Sequence, residues 1–151
     1  MLSKPPRVSR AAEKATPEAP ASPTADIPTG TEYLLMVDDD ETVLTPVAKL
    51  LRGLGYRVEV AESGGEALRI LGRSLEDVDL LITDLQMPGM TGEELALAVT
   101  ESKPGTKVLF VSGDVAVGPL NESGNEQTRY LSKPFLPSEL ARCVRRMLDA
   151  S

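Results

Sequence analysis

The 151-residue sequence contains no histidine and no tryptophan, a single cysteine and only five aromatic residues. Without histidine there is no Ser-His-Asp or Cys-His nucleophilic site and no imidazole-held zinc, and no phosphohistidine can form within these residues. Cys143 alone leaves no partner for an internal disulfide and no thiolate cluster for a metal, which fits a reducing compartment. Basic charge is also short. The 16 Lys and Arg stand against 23 Asp and Glu, a net charge of −7, the opposite of a nucleic-acid-binding footprint. No apolar run reaches the roughly 18 residues of a membrane span, and the first residues lack the apolar centre of a signal peptide. The expectation is a soluble, cytoplasmic chain with room for one folded domain.

What is present divides the chain in two. Residues 1–30 hold six of the twelve prolines, six alanines and no aromatic residue, with a net charge of +1. Such a segment has too little apolar surface to offset its ordering entropy. It reads as a disordered Pro/Ala-rich linker with a flexible reach of about 30 Å, or as a plain unstructured tail. Residues 31–151 carry all five aromatics and a net charge of −8, and a domain of that size can bury roughly two-thirds of its unfolded surface.

Within the second part, strand and helix patterns alternate. Tyr33–Val37 is a continuous apolar run that suits a strand buried on both faces. Val43, Leu44, Val47, Leu50, Leu51 and Leu54 then recur at helical spacing, with Gly55 as the stop and Pro46 expected near the first turn. Arg57–Ala61 is a weaker strand, Gly65–Leu71 a short helix with Ala67, Leu68 and Leu71 inward, and Leu80–Thr83 a third strand ending in Asp84. Glu93–Glu101 is a helix with two acids at its positive end. Val108–Val111 is a fourth strand ending in Ser112, Arg129–Ser132 a fifth ending in Lys133, and Leu140, Cys143, Val144, Met147 and Leu148 mark a last helix. Residues 114–128 are expected to form a loop or a stunted fourth helix, because Gly118, Pro119 and Gly124 interrupt them. Fully apolar strands alternating with helices imply a parallel sheet covered on both faces, a doubly wound α/β fold.

The polar residues fall at the carboxyl ends of those strands, where such folds bind ligands. Asp38, Asp39 and Asp40 follow the first strand. Asp84 ends the third, Ser112 the fourth and Lys133 the fifth. Clustered carboxylates repel one another unless a cation joins them, and an all-oxygen donor set selects Mg²⁺ or Mn²⁺. A carboxylate can serve as nucleophile and form an acyl phosphate, while an ion, an ammonium and a hydroxyl neutralise the transferring phosphoryl group.

Four motifs carry a resemblance: Val37-Asp38-Asp39-Asp40, the Asp84–Gly92 segment with Met87-Pro88-Gly89, Val111-Ser112-Gly113, and Lys133-Pro134-Phe135. In that order and spacing, residues 31–151 resemble a response-regulator receiver domain, the phosphoacceptor module of two-component phosphorelay signalling. The resemblance implies a five-stranded parallel sheet in flavodoxin-like order 2-1-3-4-5. It implies Asp84 as the acceptor of a phosphoryl group from a phosphohistidine of a histidine kinase or phosphotransfer domain. Asp39, Asp84 and the backbone carbonyl of Gln86 would be direct Mg²⁺ ligands, with Asp38 acting through water. Ser112 and Lys133 would contact the phosphoryl oxygens, Tyr130 would fall at a switch position beside Ser112, and the Lys133–Pro134 bond would be cis. Phe110-Val111-Ser112-Gly113, the interrupted fourth helix and Pro6-Arg7-Val8 before the linker are similar to receivers of hybrid histidine kinases. Covalent attachment to an upstream kinase and an independent start at Met1 both remain open. The domain would not be an enzyme in its own right, and without a full fourth helix it would stay monomeric.

Blander readings stand beside these. Asp40 is assigned to capping the first helix rather than to metal. Tyr130 is as consistent with half-buried packing as with a switch. Cys143, Met87 and Met90 read as packing residues, and Glu93 and Glu94 as partners of a helix dipole. Leu35–Thr42 also resembles the first motif of haloacid-dehalogenase-type phosphatases, with Asp38 as nucleophile and Asp40 as acid. That alternative leaves Asp84 and Met87-Pro88-Gly89 unexplained and lacks a further acidic pair after the lysine. A docking module that is never phosphorylated is the third reading, and it has no use for the intact acids, serine and lysine.

Overall fold

The computed structural model describes residues 29–74, 76–113 and 127–150. Its elements are β1 (Tyr33–Val37), α1 (Glu41–Gly53), β2 (Arg57–Ala61), α2 (Gly64–Arg73), β3 (Leu80–Asp84), α3 (Gly92–Ser102), β4 (Lys107–Ser112), β5 (Thr128–Ser132) and α4 (Pro137–Asp149). The strands form one sheet in the order β2-β1-β3-β4-β5, and every neighbouring pair is parallel. The expected interruption at 114–128 lies outside the described residues except for Gln127 and Thr128. Among the described residues no helix is long and apolar enough to cross a membrane.

Alternation along each strand splits the core into two layers. Leu34, Met36, Leu80, Ile82, Leu109 and Val111 face α1 and α4, whose Leu44, Val47, Leu51, Leu140, Val144 and Met147 pack against them. Leu35, Val37, Leu81, Val108 and Phe110 face α2 and α3 and meet Ala67, Ile70, Leu95 and Val99. Burial on both faces is why β1 and β3 read as unbroken apolar runs, and all five residues of each are buried. On α2 the inward set differs from expectation: Ile70 is buried and Leu68 only packs at the margin. The helix begins one residue earlier than expected, with Ser63 as cap.

Helix ends follow local chemistry. Asp40 caps α1, its carboxylate accepting the Thr42 N–H at 2.9 Å and the Thr42 hydroxyl at 2.6 Å. Because α1 starts at Glu41, Pro46 falls in its second turn rather than its first, on the exposed side of the helix. Gly55 ends α1 with φ +107°. Its N–H donates to the Arg52 carbonyl at 3.0 Å and the Tyr56 N–H to the Leu51 carbonyl at 3.2 Å, the paired bonds of a Schellman stop. A Cβ at Gly55 would also lie 2.5 Å from the Gly30 carbonyl oxygen. Thr91 and Glu94 form a reciprocal capping box at α3.

At the end of the sheet opposite the site, Arg145 ties the chain leading into β1 to α4. Its guanidinium donates to Glu32 at 2.7 and 3.1 Å, to the Thr29 carbonyl at 3.2 Å, to the Tyr56 hydroxyl at 3.2 Å and to Asp149 at 2.9 Å. The guanidinium beside Glu32 holds that carboxyl below its ordinary value of 4.5. A lowered folded value means stabilisation that is present above the unfolded value and lost as pH falls through the folded one. Arg145→Met is therefore expected to cost about 1–2 kcal/mol at neutral pH, with most of the gap from the unaltered protein closing in denaturant titrations below about pH 4.

Candidate functional site

The sheet order places the ends of β1 and β3 side by side, with the crossovers leaving in opposite directions from that point, so a crevice opens above them. Asp38 follows β1 directly and is buried, whereas Asp39 and Asp40 are exposed. Asp84 is the last residue of β3 and Ser112 the last of β4, and both are buried. Ser112 pairs in register with Ser132, and the Lys133 N–H donates to the Ser112 carbonyl at 2.7 Å, which brings Lys133 to the same edge. The Lys133–Pro134 peptide is cis.

The Lys133 ammonium joins the two buried acids, with Nζ 2.9 Å from Asp38 Oδ2 and 3.2 Å from Asp84 Oδ2. Asp38 Oδ1 accepts the Asp40 N–H at 2.9 Å, and Asp84 Oδ1 accepts the Gln86 N–H at 3.2 Å. One oxygen from each of Asp38, Asp39 and Asp84 lies within 4.8 Å of the others. Burial pushes the Asp38 carboxyl above its ordinary value, and the Lys133 hydrogen bond offsets only part of that. Burial alone would lower Lys133, but the Asp38 and Asp84 carboxylates outweigh it and hold the ammonium above its ordinary value. The site thus keeps a charged lysine between two buried carboxyls. The remaining carboxylate oxygens form an all-oxygen, net-negative donor set whose chemistry fits a hard divalent cation.

Asp84 is held from behind by Thr83 and by Gly92, the residue that closes the Asp84–Gly92 motif. The Thr83 hydroxyl donates to the Asp84 carbonyl at 3.0 Å, and the Gly92 N–H donates to the Leu85 carbonyl at 2.9 Å. A Cβ on Gly92 would lie 2.1 Å from the Asp84 carbonyl oxygen, so only glycine lets α3 start this close to the end of β3. Nothing in the sequence singles out Thr83, whose alternation reads as one more strand position.

The other candidates fall as follows. Asp40 is turned to its capping bonds, and both Thr42 donors hold its carboxyl below the ordinary value. Tyr130 is not part of the carboxylate cluster. It sits half-buried on the α2/α3 face, stacked on Phe110. Gln86 is exposed in the loop after β3, and Met87 is buried in the core. Cys143 is a free, buried thiol raised by burial, far along α4.

A family model described as a response regulator receiver domain matches residues 34–145. The response regulator receiver protein CpdR of Brucella abortus is 35% identical over 120 residues, covering 78% of this chain and 98% of that protein. The sensor kinase CckA of Brucella abortus is 33% identical over 121 residues, covering 80% of this chain but only 13% of the kinase. A crystal structure of the receiver domain from the hybrid histidine kinase CckA superposes with a TM-score of 0.65 at 34% identity, covering 78% of this chain and 99% of that one.

Proposed function

We propose, from the fact that this chain belongs to the response regulator receiver domain family, that Asp84 takes a phosphoryl group from a phosphohistidine on a histidine kinase or phosphotransfer partner. The observation that carries this is the Lys133 ammonium held 2.9 Å from Asp38 and 3.2 Å from Asp84 inside a three-carboxylate cluster. Residues 31–151 make up the phosphoacceptor domain, and residues 1–30 a linking segment or tail. The haloacid-dehalogenase reading needs Asp40 free as an acid, whereas its carboxylate is occupied in capping α1.

Each side chain then has a task. The Asp84 carboxylate attacks phosphorus in line, the bond from phosphorus to the imidazole nitrogen breaks, and an aspartyl acyl phosphate forms. The Gln86 N–H fixes the rotation of the Asp84 carboxylate before the attack. Lys133 moves its ammonium from the Asp84 carboxylate onto a phosphoryl oxygen, while Asp38 keeps hold of it from the other side. The Ser112 hydroxyl donates to a second phosphoryl oxygen. Asp38, Asp39, Asp84 and the Gln86 carbonyl are the groups that would hold Mg²⁺, with Asp38 through water. When bound, that ion neutralises charge gathering on the phosphoryl oxygens. The domain speeds only its own phosphorylation and the hydrolysis of its own acyl phosphate.

Transfer from a radiolabelled phosphohistidine protein tests the reading. Label should move to this chain in Mg²⁺ and stay on the donor in EDTA, and label that never leaves a panel of histidine kinases in Mg²⁺ would count against it. We assign the domain to action without nucleic acid on its net charge of −8, to action as a monomer on the Pro- and Gly-interrupted 114–128 segment, and to the cytoplasm on its single cysteine, Cys143. Sedimentation should give one monomeric species with and without the phosphoryl mimic beryllofluoride, and a beryllofluoride-dependent dimer would overturn that assignment.

A further inference from the structure

A groove of about 560 Å³ runs between α1 and the start of α4, lined by Val43, Pro46, Val47, Pro134, Phe135 and Pro137. Lys133 also lines it and bonds both buried acids, so the groove adjoins the carboxylate crevice. Pro46 is exposed, and Val43 and Phe135 are only half-buried, so this apolar lining is open to an occupant. An apolar seam continues from the groove toward the other end of the sheet. Leu50 lies about two turns beyond Val43 on α1, and Leu148 about three turns beyond Pro137 on α4, which keeps each on the side of its helix that lines the groove. Both are half-buried against the same core layer. The chain leading into β1 joins the domain at the far end of that seam. The Gly30 N–H donates to the Leu54 carbonyl at 3.1 Å, and the Thr29 carbonyl accepts from Arg145 on α4 at 3.2 Å.

We propose that this groove is filled by the chain's own Pro17–Pro23 segment, packed as a polyproline II helix. Pro17, Pro20 and Pro23 recur at every third position. A polyproline II helix has three residues per turn, so the three rings form one ridge, the shape that apolar grooves carrying an aromatic side chain take up. Glu18 and Ser22 fall on its other faces. The reach is sufficient. Val47 and Thr42 lie about 10–18 Å along α1 from Leu54, and the extended chain from Thr29 back to Pro23 spans about 19 Å. The charge sets the direction. Lys4, Arg7, Arg10 and Lys14 against Glu13 give residues 1–16 a net charge of +3. With Pro23 toward Thr29, that basic stretch meets the start of α1, where Asp39, Asp40 and Glu41 are exposed. A tether this short supplies an effective concentration in the millimolar range, so even a weak contact forms within one chain. A second copy would have to bind without that gain. A protein partner approaching Asp84 from this side then meets the segment first. The inference does not depend on Asp84 accepting a phosphoryl group.

The amide signals of the full chain in NMR test this. Replacing the ridge with Pro17→Ser, Pro20→Ser and Pro23→Ser together should shift Val43, Val47 and Phe135. Leu97, exposed on α3 across the sheet, should stay where it was. Pro5→Ser with Pro6→Ser should move none of them. A nitroxide on Ala21→Cys, in a Cys143→Ala background that leaves one thiol, should broaden the Val43 and Phe135 signals of its own chain. The same nitroxide-bearing protein mixed into isotope-labelled unaltered protein should broaden neither. Groove signals that stay put in the triple proline variant, or that move as much in the Pro5 and Pro6 control, would overturn the inference. A nitroxide that broadens nothing in the groove would do the same, and broadening only in the mixed sample would give the groove to a second copy instead. If the Cys143→Ala background folds poorly, the proline comparison decides, since it leaves both core layers untouched.

Discussion

Asp84→Asn should take up no phosphate from acetyl phosphate and Mg²⁺, under conditions in which the unaltered protein gains one acid-labile group. The amide is nearly isosteric, so the oxygen that accepts the Gln86 N–H can stay in place, and Asp38 still pairs with Lys133 at 2.9 Å. What disappears is the nucleophile. A carboxamide oxygen carries no full negative charge, and the acyl phosphate it would have to form is not available to it. Burial at the end of β3 and the close approach of Gly92 behind Asp84 leave little room for another group to substitute. Thermal unfolding of the variant should show an intact fold, because one of three clustered negative charges has been removed. Incorporation equal to that of the unaltered protein would move the acceptor elsewhere, with Asp38 the next candidate.

Asp39→Ala should weaken Mg²⁺ binding by about 100-fold or more and bring phosphorylation down with it. Asp39 is the exposed member of the cluster, and its oxygen lies within 4.8 Å of those of Asp38 and Asp84. Its removal takes away a ligand without opening a cavity in either apolar layer. In metal-free protein the stability should hold or rise, since three carboxylates this close repel one another and the buried Asp38 already resists ionising. Titration of Mg²⁺ by calorimetry, paired with thermal melts in EDTA, checks both halves. Unchanged Mg²⁺ affinity, or a variant that cannot fold without metal, would count against these residues as the ion's site.

The strands and the site were readable in the sequence for the same physical reason. A strand covered on both faces must be apolar throughout, so Tyr33–Val37 and Leu80–Thr83 stand out, and the charged residue that ends each run, Asp38 or Asp84, stands out beside it. The Lys133 bonds to Asp38 and Asp84 span 95 and 49 residues, but the order of strand ends brings the three together once a parallel sheet is assumed. Other features depend on contacts that no local pattern encodes. The Arg145–Glu32 pair joins residues 113 apart, one just before β1 and one on α4, at positions that read as ordinary surface. The Phe110–Tyr130 stack needs the β4–β5 register, and that register follows from a crossover through residues without helical periodicity. The cap at Asp40 was legible in the Asp run, and with α1 starting at Glu41 Pro46 falls in the second turn rather than the first. Thr83 acts on a backbone oxygen, for which its side chain gives no signal, and Gly92, though it closes the Asp84–Gly92 motif, does not reveal there its close approach to the Asp84 carbonyl.

The most direct measurement is to locate the phosphorylated residue by chemical trapping. Borohydride reduces an aspartyl acyl phosphate to homoserine, which marks the position in a peptide mass spectrum. After a brief reaction with acetyl phosphate and Mg²⁺, homoserine should appear at position 84, in proportion to the phosphate bound, and nowhere else. Homoserine at position 38, or an acid-stable phosphate on Ser112, would contradict the assignment of Asp84.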